Sequence, residues 1–224
     1  VPAGRLPAAM DGFRALGNLG GVLVTIPHKE EVLDLVDEIG PQARLVGAAN
    51  IVRRDADGRL TAENFDGLGF VAGLEQAGHR VAGRRVLLVG AGGAGKAIAC
   101  ALADARVGEL VLANRTAARA EDLRARVAAA YPGVAVRAGE ADPAGFEIVV
   151  NATSQGLQQG DPLPFAVARL APGAVVAEII MKPERTALVE AAAAGGHAVH
   201  LGRHMLDAQV PLMCRFLGID APGI

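Results

Sequence analysis

A glycine-rich turn between an apolar run and a helical stretch constrains this chain more than any other feature. Residues 90–95 show the G-x-G-x-x-G spacing, after the apolar run 85–90 and before the Ala-rich stretch 94–105. In that context glycines allow a tight turn, close approach of a pyrophosphate, and close packing of the helix on the strand. The pattern predicts a dinucleotide-binding turn; a purely structural glycine turn is the alternative. The candidate contacts are Gly90, Gly92, Gly93, Ala94 and Gly95.

From residue 81 onward, predicted strands and helices alternate. Short apolar runs are typical of buried parallel strands, and each is followed by a helical stretch or a turn. The predicted strands are 85–90, 110–113, 134–137, 147–150, 174–181 and 197–201, and the helices are 94–105, 117–131 and 184–194. This alternation predicts an α/β fold, a Rossmann-type parallel sheet covered by helices on both faces.

The first eighty residues alternate more loosely and predict a second, smaller α/β domain. A strand is expected at 21–26, followed by a helix from Pro27 to about residue 39. Runs 47–53 and 59–62 predict a hairpin around Asp57-Gly58. A helix at 66–77 then leads into the larger domain. The boundary between the two domains is expected near residues 66–83.

Composition excludes several classes of function. The 224 residues carry 22 basic and 24 acidic side chains, which gives no field for steering toward nucleic acid or an anionic membrane. No apolar run approaches the roughly 20 residues that span a bilayer. The two cysteines, Cys100 and Cys214, predict no disulfide framework and favour a cytoplasmic location. The histidines show no ligand spacing, so no metal site is expected; His200 and His204 lie on either side of a glycine.

The end of the second predicted strand indicates which dinucleotide is bound. NAD sites place an acidic residue about 20 residues beyond the glycines, to hold the ribose 2′-hydroxyl. This chain has Asn114-Arg115-Thr116 there, with Arg119 one turn later. A guanidinium and a hydroxyl suit a 2′-phosphate, so the sequence favours NADP over NAD. The alternative is that both arginines belong to a solvated helix face.

Lys29 is the candidate for proton transfer. Only three of the 22 basic residues are lysines, and an ammonium group can release a proton where guanidinium cannot. The predicted helix that begins at Pro27 places Lys29 in its first turn, where the helix dipole should ease proton loss. From the residues alone, Lys29 and Asp66 also fit an ordinary surface ion pair.

At these residues the chain resembles the shikimate dehydrogenase family over nearly its whole length. The matching segments occur in the family's order. They are VTIPHKE at 24–30, GAAN at 47–50, NFDGLGF at 64–70, VGAGGAGKA at 89–97, ANRT at 113–116, VVNATSQG at 149–156 and LGRHMLDAQ at 201–209.

The resemblance implies an NADP-dependent enzyme that interconverts 3-dehydroshikimate and shikimate, in the chorismate route to aromatic amino acids. It implies a substrate domain of residues 1–66 and 203–224, a Rossmann-like cofactor domain of residues 67–202, and a cleft between them. The family's first βα unit, whose Ser-x-Ser holds the substrate carboxylate, does not occur in these residues, so an additional strand and helix are expected before Val1. The family includes monomers and homodimers.

The resemblance also assigns roles to individual residues. Lys29 and Asp66 match the catalytic pair, and Thr25, Asn50 and Gln209 match positions that contact the substrate, a hydroxylated cyclohexene carboxylate. The remaining matches are cofactor positions: Asn114, Arg115 and Thr116 near the 2′-phosphate, and Asn151, Ala152, Thr153, Gly202 and Met205 elsewhere around the cofactor.

Three departures from the family pattern concern specificity. Ile51 and Phe65 stand where the family usually has Thr, and Met181 stands where its Asp-x-x-Tyr-x-Pro segment has Tyr. Loss of a hydrogen bond to substrate costs on the order of 1 kcal/mol. A quinate- or aminoshikimate-type dehydrogenase, or a regulatory homologue that binds cofactor without catalysis, is therefore the alternative.

Overall fold

The structure is a computed structural model that describes residues 1–219. The chain forms two compact units. Unit 1 comprises Val1–Asp66 together with the chain from Gln209, and unit 2 comprises Gly67–Ala208. Within the described residues, no helix has both the length and the apolar character to cross a bilayer.

Unit 1 is built on a four-stranded sheet in the order β1-β3-β4-β2. Its strands are β1 (Gly21–Leu23), β2 (Glu38–Ile39), β3 (Ile51–Arg54) and β4 (Leu60–Glu63), and its helices are α1 (Leu6–Ala15) and α2 (Pro41–Val46). β3 pairs antiparallel with β1 and β4, whereas β2 pairs parallel with β4. The predicted hairpin is therefore present as β3 and β4, and the first strand ends at Leu23, earlier than expected.

The predicted helix over 27–39 is wrong. Residues 26–30 form turns, a 3₁₀ helix covers Glu31–Leu35, and Glu38–Ile39 is strand β2. The apolar residues that suggested helical spacing still face inward: Val32 is fully buried, and Leu35 and Val36 pack partly against the same core. Contacts with β4 fix the C-terminal end of this segment. Asp37 accepts a 2.8 Å hydrogen bond from the Leu60 N–H, and the next two residues, Glu38–Ile39, pair with β4 as strand β2. Tertiary pairing overrides the local pattern here.

Unit 2 contains a six-stranded parallel sheet in the order β10-β9-β8-β5-β6-β7. The strands are β5 (Arg85–Val89), β6 (Glu109–Ala113), β7 (Ala135–Ala138), β8 (Ile148–Asn151), β9 (Val175–Glu178) and β10 (Ala198–His200). The helices are α3 (Asp66–Gln76), α4 (Gly93–Asp104), α5 (Ala117–Ala130), α6 (Ala187–Ala194) and α7 (Gly202–Phe216), the last of which continues into unit 1. Counted from β5, the strand order is 3-2-1-4-5-6, which is the Rossmann arrangement.

The central strands of unit 2 are continuous apolar runs because both faces of the sheet are covered. Leu87, Val149 and Val176 are fully buried in neighbouring strands and form one cluster with Phe146 and Leu188. Such burial on both faces is typical of parallel sheets. The fold class predicted from the sequence is confirmed. The strand predicted at 174–181 is shorter than expected: it ends at Glu178, beyond which the backbone turns.

Candidate active site and cofactor site

Lys29 and Asp66 form an ion pair within unit 1. The Lys29 Nζ donates to Asp66 Oδ2, and the two side chains are 16% and 6% exposed. An exposed surface pair contributes little and holds neither partner in one geometry. This pair is mostly buried, so Lys29 is held at a defined place while part of it still reaches solvent.

Asn50 orients the carboxylate from the other side. Its Nδ2 donates to Asp66 Oδ1 and to Gln209 Oε1, both at 2.9 Å, while its Oδ1 accepts from the Phe65 N–H at 3.0 Å. Only one orientation of the amide satisfies all three partners. Four predicted site residues, Lys29, Asp66, Asn50 and Gln209, are thus brought together in one hydrogen-bonded network.

The backbone around Lys29 is held by the segment that carries Asn50. The Val24 N–H donates to the Asn50 carbonyl at 2.8 Å, and the Ala49 N–H donates to the Lys29 carbonyl at 2.7 Å. Lys29 therefore lies in a turn that is hydrogen-bonded to the segment carrying Asn50. It does not lie in the first turn of an α-helix. The expectation that a helix dipole would ease its proton loss is wrong, because no α-helix begins there.

Asn64 supports the network and was not singled out from the sequence. Its Oδ1 accepts from the Asp66 N–H at 3.0 Å, and its Nδ2 donates to the Ala48 carbonyl at 2.8 Å. Asn64 is 1% exposed. The available signal was its place two residues before Asp66, where an Asn side chain commonly accepts from the backbone two residues on.

The remaining unit 1 candidates are placed differently. Thr25 is exposed in the turn after β1, where its carbonyl accepts from the His28 N–H at 2.9 Å. Ile51 is fully buried in β3, where an apolar side chain stands in place of the hydroxyl that the family pattern has. Phe65 is half-buried, and its ring lies edge-on to Phe216 with centroids 5.7 Å apart.

The glycine-rich turn of unit 2 has the geometry that the sequence predicts for a phosphate cradle. Gly90 directly follows β5 with φ +116°, and a Cβ on it would lie 2.5 Å from the Ala152 carbonyl oxygen. A Cβ on Gly95 would lie 2.1 Å from the Gly90 carbonyl oxygen. Helix α4 can therefore pack on the turn only because Gly95 has no side chain. A Cβ on Gly92 would meet no atom within 4 Å. Open space at Gly92, beside the N-terminus of α4, fits an approaching anion.

Asn114 links the cradle to the end of the second strand. Its Oδ1 accepts from the Ala91 N–H at 3.1 Å, and its Nδ2 donates to the Thr116 carbonyl at 2.9 Å. Arg115 and Arg119 are exposed beside it and form no ion pair with another residue in 1–219. By contrast, Arg124, further along the chain on α5, pairs with Glu121. Two unpaired guanidinium groups next to the cradle suit a phosphate.

Asn151 organises the loop after β8 from inside the protein. It is fully buried: its Oδ1 accepts from the Thr153 N–H at 3.1 Å and from the Thr153 hydroxyl at 2.7 Å. Its Nδ2 donates to both oxygens of Glu178, which is also fully buried. Burial raises the pKa of Glu178, and the hydrogen bonds donated to it oppose that effect. The Asn151 side chain can therefore hold the loop after β8 in place but does not face outward.

Gly202 and Met205 lie at the start of α7. A Cβ on Gly202 would lie 2.6 Å from the carbonyl oxygens of Ile179 and Ile180, so α7 packs directly on the backbone after β9. Met205 is 7% exposed.

Three histidines that the sequence left unconnected meet in unit 2. His200 Nδ1 lies 3.2 Å from His204 Nδ1, and the His79 ring is 6.2 Å from the His200 ring between centroids. Burial, followed by the nearby charges of His204 and His79, lowers the pKa of His200 to about 4. Within residues 1–219, no group of three or more His, Cys, Asp or Glu side chains is arranged to hold a metal ion.

The fold and the cradle together define a class. A 3-2-1-4-5-6 parallel sheet whose first strand leads through the glycine turn into α4 is the architecture of Rossmann-type dinucleotide-binding proteins. Comparison with known families gives two matches: the shikimate dehydrogenase substrate binding domain over residues 1–52 and shikimate / quinate 5-dehydrogenase over residues 73–157.

Individual relatives match most of the chain. The shikimate dehydrogenase (NADP(+)) of Rubrobacter xylanophilus is 45% identical, over 98% of this chain and 79% of that protein. The protein therefore belongs to the shikimate dehydrogenase family.

Solved structures agree on the fold. The 5-ketofructose reductase of a Gluconobacter species has a TM-score of 0.86 at 34% identity, covering 97% of this chain and 79% of that one. The shikimate 5-dehydrogenase of Thermus thermophilus, in complex with NADP(H) and shikimate, has a TM-score of 0.87 at 30% identity, covering 97% and 79%.

Proposed function

We propose that this protein is an NADP-dependent shikimate dehydrogenase that reversibly reduces 3-dehydroshikimate to shikimate. The observation that carries the proposal is the network of Lys29, Asp66, Asn50 and Gln209, which holds one ammonium group on a buried carboxylate. The kinship with shikimate dehydrogenases supports the choice of substrate. The motif resemblance implies catalytic and substrate positions for the same four residues.

The reaction needs a proton at the substrate oxygen. When bound, NADPH supplies the hydride that reduces the ketone. The resulting alkoxide requires a proton, and the Lys29 ammonium is the donor; in the reverse direction the Lys29 amine takes the proton back. Asp66 holds Lys29 through Oδ2, and Asn50 holds Asp66 through Oδ1, so the donor is positioned before substrate binds. Gln209 and Thr25 complete the proposed substrate contacts.

Unit 2 supports NADP as the proposed cofactor. The open space at Gly92 and the N-terminus of α4 accept the pyrophosphate, and Arg115 with Thr116 and Arg119 accepts the 2′-phosphate. Gly93 and Ala94 begin α4 and offer backbone N–H groups, while Ala152, Gly202 and Met205 line the other end of the cofactor.

A second substrate class is favoured by the departures at Phe65 and Met181. Phe65 packs on Phe216 where the family has a hydroxyl, and Met181 is 48% exposed. A related dehydrogenase for quinate or aminoshikimate would lose less from these changes than an enzyme whose substrate needs the missing hydroxyls. A regulatory homologue that binds cofactor without turnover is the third candidate.

A substrate panel separates these three functions. Initial rates are measured with 3-dehydroshikimate and NADPH, and with shikimate, quinate and aminoshikimate against NADP and NAD in parallel. We expect the largest kcat/KM for shikimate with NADP. A larger value for another substrate would support the second class, and tight NADPH binding without turnover on any of them would support the regulatory homologue.

The cofactor binding and the free cysteines also suit a cytoplasmic location, which we include in the proposal. Cys100 is buried in α4, and burial raises the pKa of its thiol to about 11. Such a thiol is unreactive as a structural residue. Cell fractionation with activity measured in each fraction tests the location.

A further inference from the structure

Glu178, at the end of β9, is the most completely enclosed acidic side chain in the described part of unit 2. It is fully buried, and four groups donate hydrogen bonds to its carboxylate. The donors are Asn151 Nδ2 (3.0 and 3.1 Å), the Ile179 N–H (2.8 Å), the Ile180 N–H (3.0 Å) and the Thr186 hydroxyl (3.0 Å). A buried carboxylate is tolerated only when such partners replace water.

The first of these donors controls the loop after β8. Asn151 Nδ2 bonds Glu178 and also the Gln155 carbonyl at 3.0 Å, while its Oδ1 takes both the N–H and the hydroxyl of Thr153. The rotamer and amide orientation of Asn151 therefore depend on an acceptor at Glu178. Asn151, Ala152 and Thr153 are proposed cofactor residues, so the carboxylate reaches the cofactor loop through Asn151.

The two backbone donors control the segment after β9. Glu178 Oε1 fixes the Ile179 and Ile180 peptides, whose carbonyl oxygens lie against Gly202 at the start of α7. Gly202 is another proposed cofactor residue. The Glu178 carboxylate thus positions the backbone at two separate proposed cofactor segments, the loop after β8 and the start of α7.

Thr186 joins the same group from α6. Its hydroxyl donates to Glu178 Oε2 and accepts from the Val189 N–H as the N-cap of that helix. A Cβ on Gly156, at the end of the loop after β8, would lie 3.2 Å from the Thr186 Cβ. The loop after β8 and the start of α6 therefore meet around Glu178.

We propose that Glu178 is a positioning residue for the cofactor: its carboxylate sets the geometry of the loops after β8 and β9 and thereby the affinity for NADPH. The inference rests on the proposed function, in which these loops face NADPH. Glu178 itself touches neither the cofactor nor the reacting atoms, so it governs cofactor affinity and leaves the proton transfer to Lys29.

The test compares Glu178→Gln with Glu63→Gln. In Glu178→Gln an NH₂ group replaces one carboxylate oxygen, and every group that is hydrogen-bonded to this carboxylate is a donor. Asn151 or a peptide N–H therefore loses its acceptor. Glu63 is a matched control, because it is 6% exposed and its Oε1 accepts from the N–H groups of Ala43 and Asn64, all in unit 1. For each variant the Tm, the Kd for NADPH by fluorescence titration, and the steady-state constants are measured.

We expect both variants to lower the Tm, but only Glu178→Gln to raise the Kd and KM for NADPH, by about tenfold. At saturating NADPH, kcat of Glu178→Gln stays within about threefold of wild type, since Lys29 is unaffected. If the two variants lose stability alike and both keep the wild-type Kd, the positioning role is overturned and Glu178 serves the fold alone.

Two milder variants keep the test decisive if Glu178→Gln does not fold. Thr186→Val removes one donor and should raise the Kd for NADPH by about two- to fourfold, whereas Thr186→Ser keeps the hydroxyl and the wild-type Kd. Glu178→Asp keeps the charge and should fall between wild type and Glu178→Gln. An unchanged Kd in Thr186→Val and Glu178→Asp would overturn the role. A wild-type protein that bound no NADPH would instead overturn the proposed function first.

Discussion

The two units build their sites in different ways. In unit 1 the site consists of side chains: Lys29, Asp66 and Asn50 hold one another through charged and amide groups on an irregular backbone. In unit 2 the cradle consists of backbone: Gly90 and Gly95 shape a turn that follows directly from a regular strand and helix. Substitutions in unit 1 should therefore affect chemistry, and substitutions in unit 2 should affect cofactor affinity and folding.

The largest expected effect is at Lys29. Lys29→Ala removes the proposed proton donor and should lower kcat about 10²- to 10⁴-fold, while the Kd for NADPH stays at the wild-type value. Lys29→Arg keeps the charge and the ion pair with Asp66 but cannot exchange the proton, so it should not restore the rate. Steady-state kinetics and NADPH titration measure both effects. Wild-type turnover by Lys29→Ala would contradict the assignment.

Gly95 and Gly92 separate a structural role from a ligand role in the cradle. A Cβ on Gly95 would overlap the Gly90 carbonyl, so Gly95→Ala should lower the Tm by several degrees and weaken NADPH binding. Gly92→Ala meets no protein atom within 4 Å at φ −80°, so it should keep the wild-type Tm and lose only NADPH affinity. Thermal unfolding with and without NADPH distinguishes the two. Equal NADPH affinity in Gly92→Ala and wild type would show that the pyrophosphate does not pass there.

Arg115 tests whether a side chain in unit 2 adds specificity for NADPH over NADH to a cradle made of backbone. Arg115→Ala should raise KM for NADPH by about tenfold and leave KM for NADH unchanged, because only NADPH carries the 2′-phosphate. Arg124→Ala is the control, since Arg124 lies on α5, the helix that follows Arg115, but pairs with Glu121. A parallel rise in KM for both cofactors would contradict a contact with the 2′-phosphate.

The smallest expected effect is a pH dependence of stability that differs between the units. His200 is buried and faces His79, His204 and Phe70; with its pKa lowered from 6.5 to about 4, it stabilises the fold above pH 6.5, and this contribution is lost as the pH falls toward 4. A Gln side chain at this position does not titrate. The Tm of His200→Gln should therefore fall less than the Tm of wild type between pH 6.5 and 4.

His28 in unit 1 provides the opposite case. The Val1 carbonyl and Glu31 raise its pKa, so its contribution is present below pH 6.5 and lost as the pH rises through the raised pKa. His28→Gln should therefore lose Tm relative to wild type at about pH 5 and not at about pH 8. Tm measured across this range by circular dichroism tests both histidines. Parallel pH profiles for wild type and His200→Gln would contradict the first of the two expectations.

Prediction from sequence succeeded where local pattern and tertiary structure demand the same backbone. The strands and helices of unit 2 lie within a few residues of their predicted positions, because a buried parallel strand must be apolar and the turn after it needs Gly90. Prediction from sequence failed at residues 27–39, where the apolar spacing fitted a helix. The backbone of Glu38–Ile39 instead bonds to β4 in a parallel strand pair. Local spacing carries no information about a strand partner that lies far along the chain.

The same contrast holds for the sites. Motifs named Lys29, Asp66, Asn50 and the cradle glycines, because their residue types and order are specific. No motif distinguishes Glu178 or Asn64, since an acidic residue at a strand end and an Asn in a turn are common in any α/β chain. Their importance arises from burial and from the donors around them, which are properties of the folded chain.

The sequence by itself determined the α/β class, the glycine turn, the absence of a carboxylate directly after β6 and the types of the residues proposed to exchange a proton and hold charge. These depend on residue type and on spacing along the chain. Only the tertiary structure decided that Lys29 lies in a turn, that Asn50 bonds both Asp66 and Gln209, the latter 159 positions further along the chain, and that Asn151 faces inward to Glu178. The physical reason is that burial and hydrogen-bond geometry arise from contacts between residues distant in sequence, which no local pattern encodes.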